Sequence, residues 1–191
     1  MKQIITEMVT ILRQGGIILY PTDTVWGLGC DATNPEAVAK IYEIKERSDS
    51  KSLVLLAQNL DMVARYIKEI PEMAIELVEV NDKPMTIVYP DALVGQYGLA
   101  PNTVAEDGSV GIRIPNMDFC NQLISRFGRP IVSTSANISG CETPKTFAEI
   151  SSAIKDAADY IAPAELEKTS TKQASSIIKL EVDGLFTIIR K

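Results

Sequence analysis

Short apolar runs, each bounded by glycine, proline or a polar loop, recur along the chain between stretches with helical spacing. Residues 17–20 and 53–57 are too short for helices and read as buried strands, and 85–89, 110–114 and Ile131-Val132 continue the series. Ile4, Met8, Ile11 and Leu12 share one helical face that Gly15-Gly16 brings to a stop. Asn34-Pro35 opens a helix running to about Lys45, and Pro71 separates two further helical stretches. Asn116 is expected to cap a helix ending at Gly128, and Thr146 with Glu149 to form a capping box for the helix after it. Asp183-Gly184, between β-branched segments 175–182 and 185–190, marks a hairpin. Strands that alternate with helices and end on an antiparallel pair predict an α/β fold with a mixed sheet. The 191 residues carry no internal repeat or linker, so they read as a single domain, 1–191.

Histidine is absent. That removes Ser-His-Asp and Cys-His nucleophile pairs, histidine bases and histidine-bound metals. Any chemistry must rest on charge, hydroxyls, backbone groups or a substrate's own nucleophile. Against 25 acidic side chains stand 19 Lys and Arg, a net charge of −6 that disfavours non-specific nucleic-acid binding but leaves room for a local basic pocket. Cys30, Cys120 and Cys141 form no CxxC pair, which points to idle thiols in a reducing compartment. No apolar stretch has the length of a signal peptide core or a membrane span, so a cytoplasmic protein is expected.

Four polar loops sit beside predicted strands. The first, residues 20–29, sets Thr22, Asp23 and Thr24 after a buried strand and follows them with Gly27 and Gly29, which permit close backbone approach. It is either a capped turn or a ligand loop. The second, 45–52, carries Lys45, Arg47 and Lys51 with three serines, and suits a solvated helix end or a phosphate site. In the third, 111–115, Arg113 lies within an apolar strand and needs a structural carboxylate or an anionic ligand. The fourth, 133–140, gathers Ser133, Thr134, Ser135, Asn137 and Ser139 at a strand end. Hydroxyls, amides and cations together suit a small anionic ligand such as a nucleoside triphosphate, although neither a P-loop nor GxGxxG is present.

The segments YPTDTVWGLGCDA at 20–32, KERSDSK at 45–51, GIRIP at 111–115 and STSANISG at 133–140 resemble, in order and spacing, the YrdC-like family of threonylcarbamoyl-AMP synthases. The resemblance implies a twisted mixed parallel and antiparallel sheet flanked by helices, with a large concave cavity. It implies formation of threonylcarbamoyl-AMP and pyrophosphate from L-threonine, bicarbonate and ATP, with Mg²⁺ accompanying the ATP. A separate transferase complex would then modify adenosine 37 of tRNA. Carried onto this chain, Thr24, Arg113, Ser133 and Ser175 would hold threonine. Arg47, Lys51, Ser109, Ser135, Asn137, Thr143 and Arg190 would hold ATP, with Lys45, Arg47 and Lys51 stabilising charge. No metal-ligating side chain and no covalent nucleophile is implied. The chain departs from the family pattern at Ser52, where a proline is usual, at 81–86, and at 168–173, where a glycine-rich lead is usual. An RNA-binding module or a carbamoyl-transfer domain of the same fold are the alternatives, and direct nucleic-acid binding is expected to be weak or indirect.

Overall fold

The computed structural model describes residues 1–46 and 53–191. Its helices are α1 (Lys2–Arg13), α2 (Pro35–Ile44), α3 (Leu60–Val63), α4 (Glu72–Val80), α5 (Asp118–Phe127) and α6 (Ser152–Asp156). Its strands are β1 (Ile18–Pro21), β2 (Trp26–Gly29), β3 (Val54–Leu56), β4 (Met85–Tyr89), β5 (Val110–Arg113), β6 (Ile131–Val132), β7 (Thr134–Ser135), β8 (Tyr160–Ile161), β9 (Ser176–Leu180) and β10 (Phe186–Arg190).

The mixed α/β class holds, but among the described residues the strands divide into two sheets rather than one. A four-stranded sheet runs β7-β2-β1-β8 and a six-stranded sheet runs β10-β9-β4-β5-β3-β6. Each mixes orientations: β1 is antiparallel to β2 and parallel to β8, while β5 is parallel to β3 and antiparallel to β4. The sheets meet where β6 gives way to β7 with only Ser133 between them. Ser133 N–H donates to Val54 O on one sheet, and three residues later Ala136 N–H donates to Trp26 O on the other.

Glycine makes that seam possible. A Cβ on Gly29 would lie 2.7 Å from Val132 O and 2.7 Å from Tyr20 Cε1, and one on Gly27 would lie 3.1 Å from Ser133 Oγ. Any side chain at Gly29 would push the sheets apart.

Local signals account for several elements. Asn34 Oδ1 accepts the Glu36 and Ala37 N–H groups ahead of α2, with Pro35 in the first turn. α1 buries Ile5, Met8, Val9 and Leu12. Its inward face is therefore turned slightly from the Ile4–Ile11 side that spacing suggests. Each such side chain contributes about 1.5–3 kcal/mol on burial, far more than the few tenths that separate helix propensities, so packing sets the rotation. Two capping expectations fail. Asn116 does not cap α5, because its N–H is drawn to Asp23 Oδ2 at 3.1 Å and Met117 takes the cap position. Thr146 does meet Glu149, at 3.0 Å, but they close only a 3₁₀ turn, Phe147–Glu149, and Ser151 caps α6 instead.

Candidate active site

The ends of β2, β3, β5, β7, β9 and β10 enclose a cavity of about 290 Å³. Of the residues singled out from sequence, Thr24, Arg113, Ser133, Ser135, Thr143, Ser175 and Arg190 line it together. They come from sequence positions as far apart as 24 and 190, so only the fold unites them. Thr22, Trp26, Gly27, Val54 and Ile177 complete much of the wall. The apolar members read as ordinary core in the sequence, and nothing local marks them as lining.

Arg113 is buried at the end of β5 and has a structural partner: its Nη1 is ion-paired with Asp23 Oδ1. Its Nη2 donates to Thr24 Oγ1 at 3.2 Å. Asp23 also accepts Asn116 N–H. The carboxylate therefore holds the guanidinium in one orientation, and these two bonds use two of its five N–H donors. A buried arginine here does not by itself demand a ligand; its place in the cavity wall is what makes it available to one.

Residues 22–24 are themselves strapped down. Ser170 Oγ donates to Thr22 O, Thr171 N–H to Asp23 O at 2.9 Å and Lys172 N–H to Thr24 O at 2.8 Å. To keep that pairing Lys172 adopts a φ of 60°, in the left-handed region. This is the segment in which the chain lacks the glycines usual in the family it resembles, and a non-glycine residue there costs about 1–2 kcal/mol.

On the opposite wall, Ser175 Oγ lies 2.8 Å from Thr86 Oγ1, and its carbonyl accepts Arg190 Nε–H at 2.8 Å. Burial, then the neighbouring Arg113 charge, lowers the Arg190 pKa from its ordinary value. Two guanidiniums thus line the cavity, and among the described residues no carboxylate does, which favours an anionic occupant. Tyr20, beneath Ser133, has its phenol pushed up by burial and stays neutral. Burial likewise raises Cys30 and Cys120, so neither is a nucleophile near neutral pH.

Three of the singled-out residues lie off the cavity lining. Ser109 N–H and Oγ–H bond Asp107 Oδ1 at 3.0 and 2.6 Å, about 13 Å along β5 from Arg113. Asn137 Nδ2 donates to Ile138 O and Cys141 O, while its Oδ1 is buried without a partner among the described residues. Lys45 is buried and its Nζ donates to Ser135 O and Asn137 O, so it braces the hydroxyl loop from behind. Arg47 and Lys51 lie outside the described residues. Among the described residues no cluster of three acidic, cysteine or histidine side chains could hold a metal, and no helix is long and apolar enough to cross a membrane.

A cavity walled by two sheets, rich in hydroxyls and flanked by two guanidiniums, is of the kind that suits a small, polar anion. Comparison with known proteins makes the class specific: the family model Sua5_yciO_yrdC, described as "Telomere recombination", matches residues 10–191, and the chain belongs to that family. A relative named threonylcarbamoyl-AMP synthase, from Pseudoalteromonas translucida, is 35% identical over 164 residues, 82% of this chain and 83% of that protein. The crystal structure of P. abyssi Sua5 complexed with L-threonine matches with a TM-score of 0.80 at 26% identity, over 92% of this chain and 50% of that one. This chain therefore spans about half the length of Sua5. E. coli YciO matches with a TM-score of 0.81 over 100% of this chain and 90% of its own, and at 23% identity it speaks for the fold alone.

Proposed function

We propose that this protein is a threonylcarbamoyl-AMP synthase, a nucleotidyltransferase that joins L-threonine, bicarbonate and ATP and releases pyrophosphate. The observation that carries the reading is the convergence of Thr24, Arg113, Ser133, Ser135, Thr143, Ser175 and Arg190 on one cavity. Kinship with synthases of that name supports it, as does the fold shared with a threonine-bound Sua5.

The chemistry suits a chain without histidine. The amine of threonine attacks CO₂ derived from bicarbonate and loses a proton, giving a carbamate. A carbamate oxygen then attacks the α-phosphorus of ATP in line, and the bond to pyrophosphate breaks. No protein nucleophile is consumed. The protein aligns the reactants, neutralises charge and keeps water away from an unstable carbamate.

In this scheme the free N–H groups of Arg113 take the threonine carboxylate in a planar fork, while Thr24, Ser133 and Ser175 seat its polar groups. Ser135, Thr143 and Arg190 face the phosphates, with Arg47 and Lys51 added from 47–52. Lys45 supports them through the backbone it holds. A cavity of about 290 Å³ is at the small end for a ligand site, so the nucleoside would extend beyond it, and the reading gives Ser109 and Asn137 to that part of the ligand.

Mg²⁺ fits a donor set of this kind. Hydroxyls and a carboxylate already committed to Arg113 favour an ion that arrives on the phosphates with its own water, and Ser133, Ser135 and Thr143 could hold those waters. Bound there, it would offset phosphate charge. The same reading takes 1–191 as one YrdC-like domain working in the cytoplasm, with a tRNA-modifying transferase complex downstream.

The test is pyrophosphate release from ATP by the purified protein. Release should require L-threonine and bicarbonate together. Equal release with serine, or without bicarbonate, would replace this reading with another adenylating activity.

A further inference from the structure

Trp26 is the only tryptophan of the chain. It is 1% exposed and walls the cavity. Its indole N–H donates to Glu167 Oε2 at 2.5 Å, and the same oxygen accepts Phe147 N–H at 2.8 Å. The Phe147 ring stands 5.0 Å from the indole at 47°, and Lys155 Nζ lies 4.5 Å from the Phe147 centroid on the ring's face. Glu167 belongs to the 3₁₀ segment Ala164–Thr169, and the residues just after it are the ones that strap the carbonyls of 22–24. One short stretch, 167–172, therefore holds both the indole and the threonine loop, yet none of its residues lines the cavity.

Trp26 follows Thr24 by two positions, and both side chains line the cavity. A buried indole whose N–H has lost its acceptor either turns to find another or leaves a donor unsatisfied, and turning this ring changes the shape of the wall.

We propose that Glu167 is a positioning residue whose carboxylate fixes the Trp26 ring against the cavity and so governs how tightly the amino-acid substrate is held. For the substrate's identity the proposal rests on the synthase reading; for the geometry it does not.

The experiment follows Trp26 fluorescence and pyrophosphate-release kinetics in the full chain. Glu167→Ala is expected to shift the emission maximum and raise KM for L-threonine about tenfold, with kcat changed less than about threefold. Glu167→Gln keeps a carbonyl oxygen able to accept both N–H groups, so KM should return to within about threefold of wild type. Trp26→Phe should raise KM as Glu167→Ala does, and the double variant should add less than about twofold.

A folded Glu167→Ala protein with unchanged emission and KM overturns the proposal, and so does full additivity with Trp26→Phe. If Glu167→Ala does not fold, Glu167→Asp decides: drawing the carboxylate back from the indole by one methylene must shift the emission and raise KM for L-threonine, and an unchanged spectrum with unchanged KM overturns it. A wild type that releases no pyrophosphate would defeat the synthase reading alone, because the emission shift is read without turnover.

Discussion

Two acid–base pairs tie strands of the same six-stranded sheet to loops, and they do opposite work. Arg113 and Asp23, at the cavity, have side chains only 4% and 5% exposed. Lys179 and Asp107, joined at 2.7 Å on the other side of the sheet's middle, are 29% and 53% exposed. The surface pair is screened and worth little to the fold. The buried pair removes two charges from water, so its worth lies in what each charge would cost alone. Asp23 keeps Arg113 paired and oriented in a place where a ligand can reach it. Burial makes the inner pair a device of the site; exposure leaves the outer one a local fastening.

The sharpest way to break this contrast is to remove one partner of each pair. Asp23→Ala should cost about 3–5 kcal/mol of stability by stranding a buried guanidinium, and should abolish pyrophosphate release. Denaturant unfolding and the release assay check this together, and a loss under about 1 kcal/mol would show the pair to be solvated after all.

Arg113→Lys keeps the charge but not the fork. KM for L-threonine is expected to rise about tenfold or more while KM for ATP moves less than about threefold. Equal loss of both would count against giving the threonine carboxylate to Arg113.

Arg190→Ala, on the exposed edge strand β10, should lower kcat about tenfold with little change in thermal midpoint. An altered midpoint with normal kcat would make Arg190 a structural residue.

The smallest effect belongs to the surface pair. Hydrogen bonds from Lys179, then Ser109, hold the Asp107 carboxyl down to about 2. A carboxyl lowered in the folded state contributes stability above the unfolded value near 3.9 and loses it as pH falls toward about 2. Asp107→Asn should therefore cost under about 1 kcal/mol at pH 7 and flatten the stability curve only between about pH 4 and 2.

The chain reveals its local chemistry more readily than its partnerships. The Asn34-Pro35 cap and the Asp183-Gly184 turn are legible because their partners lie within a few residues. Asn116 looks like a cap for the same reason, yet its N–H answers to Asp23, 93 positions away. β7 and β8, of two residues each, carry no periodicity, so the second sheet was invisible until the chain was folded. The site divides in the same way. Arg113 stands out because a charge in an apolar strand needs an explanation, and hydroxyls crowded after Ile131-Val132 stand out by number. Asp23 as the arginine's partner, Phe147 against the Trp26 ring and Glu167 as its anchor depend on contacts spanning 90, 121 and 141 positions, which spacing along the chain does not encode.

At the β6–β7 crossing a single residue, Ser133, carries the chain from one sheet to the other. Its neighbours on either side are bound into different hydrogen-bond ladders, so the crossing has no slack. Strand side chains alternate faces residue by residue, and one added amino acid here would turn Thr134 and Ser135 inside out relative to the cavity they line. Natural variation in length at this crossing should therefore be near zero, however freely the surrounding loops grow or shrink. A chain of this kind that carried an insertion at that step would have exchanged its pocket for something else.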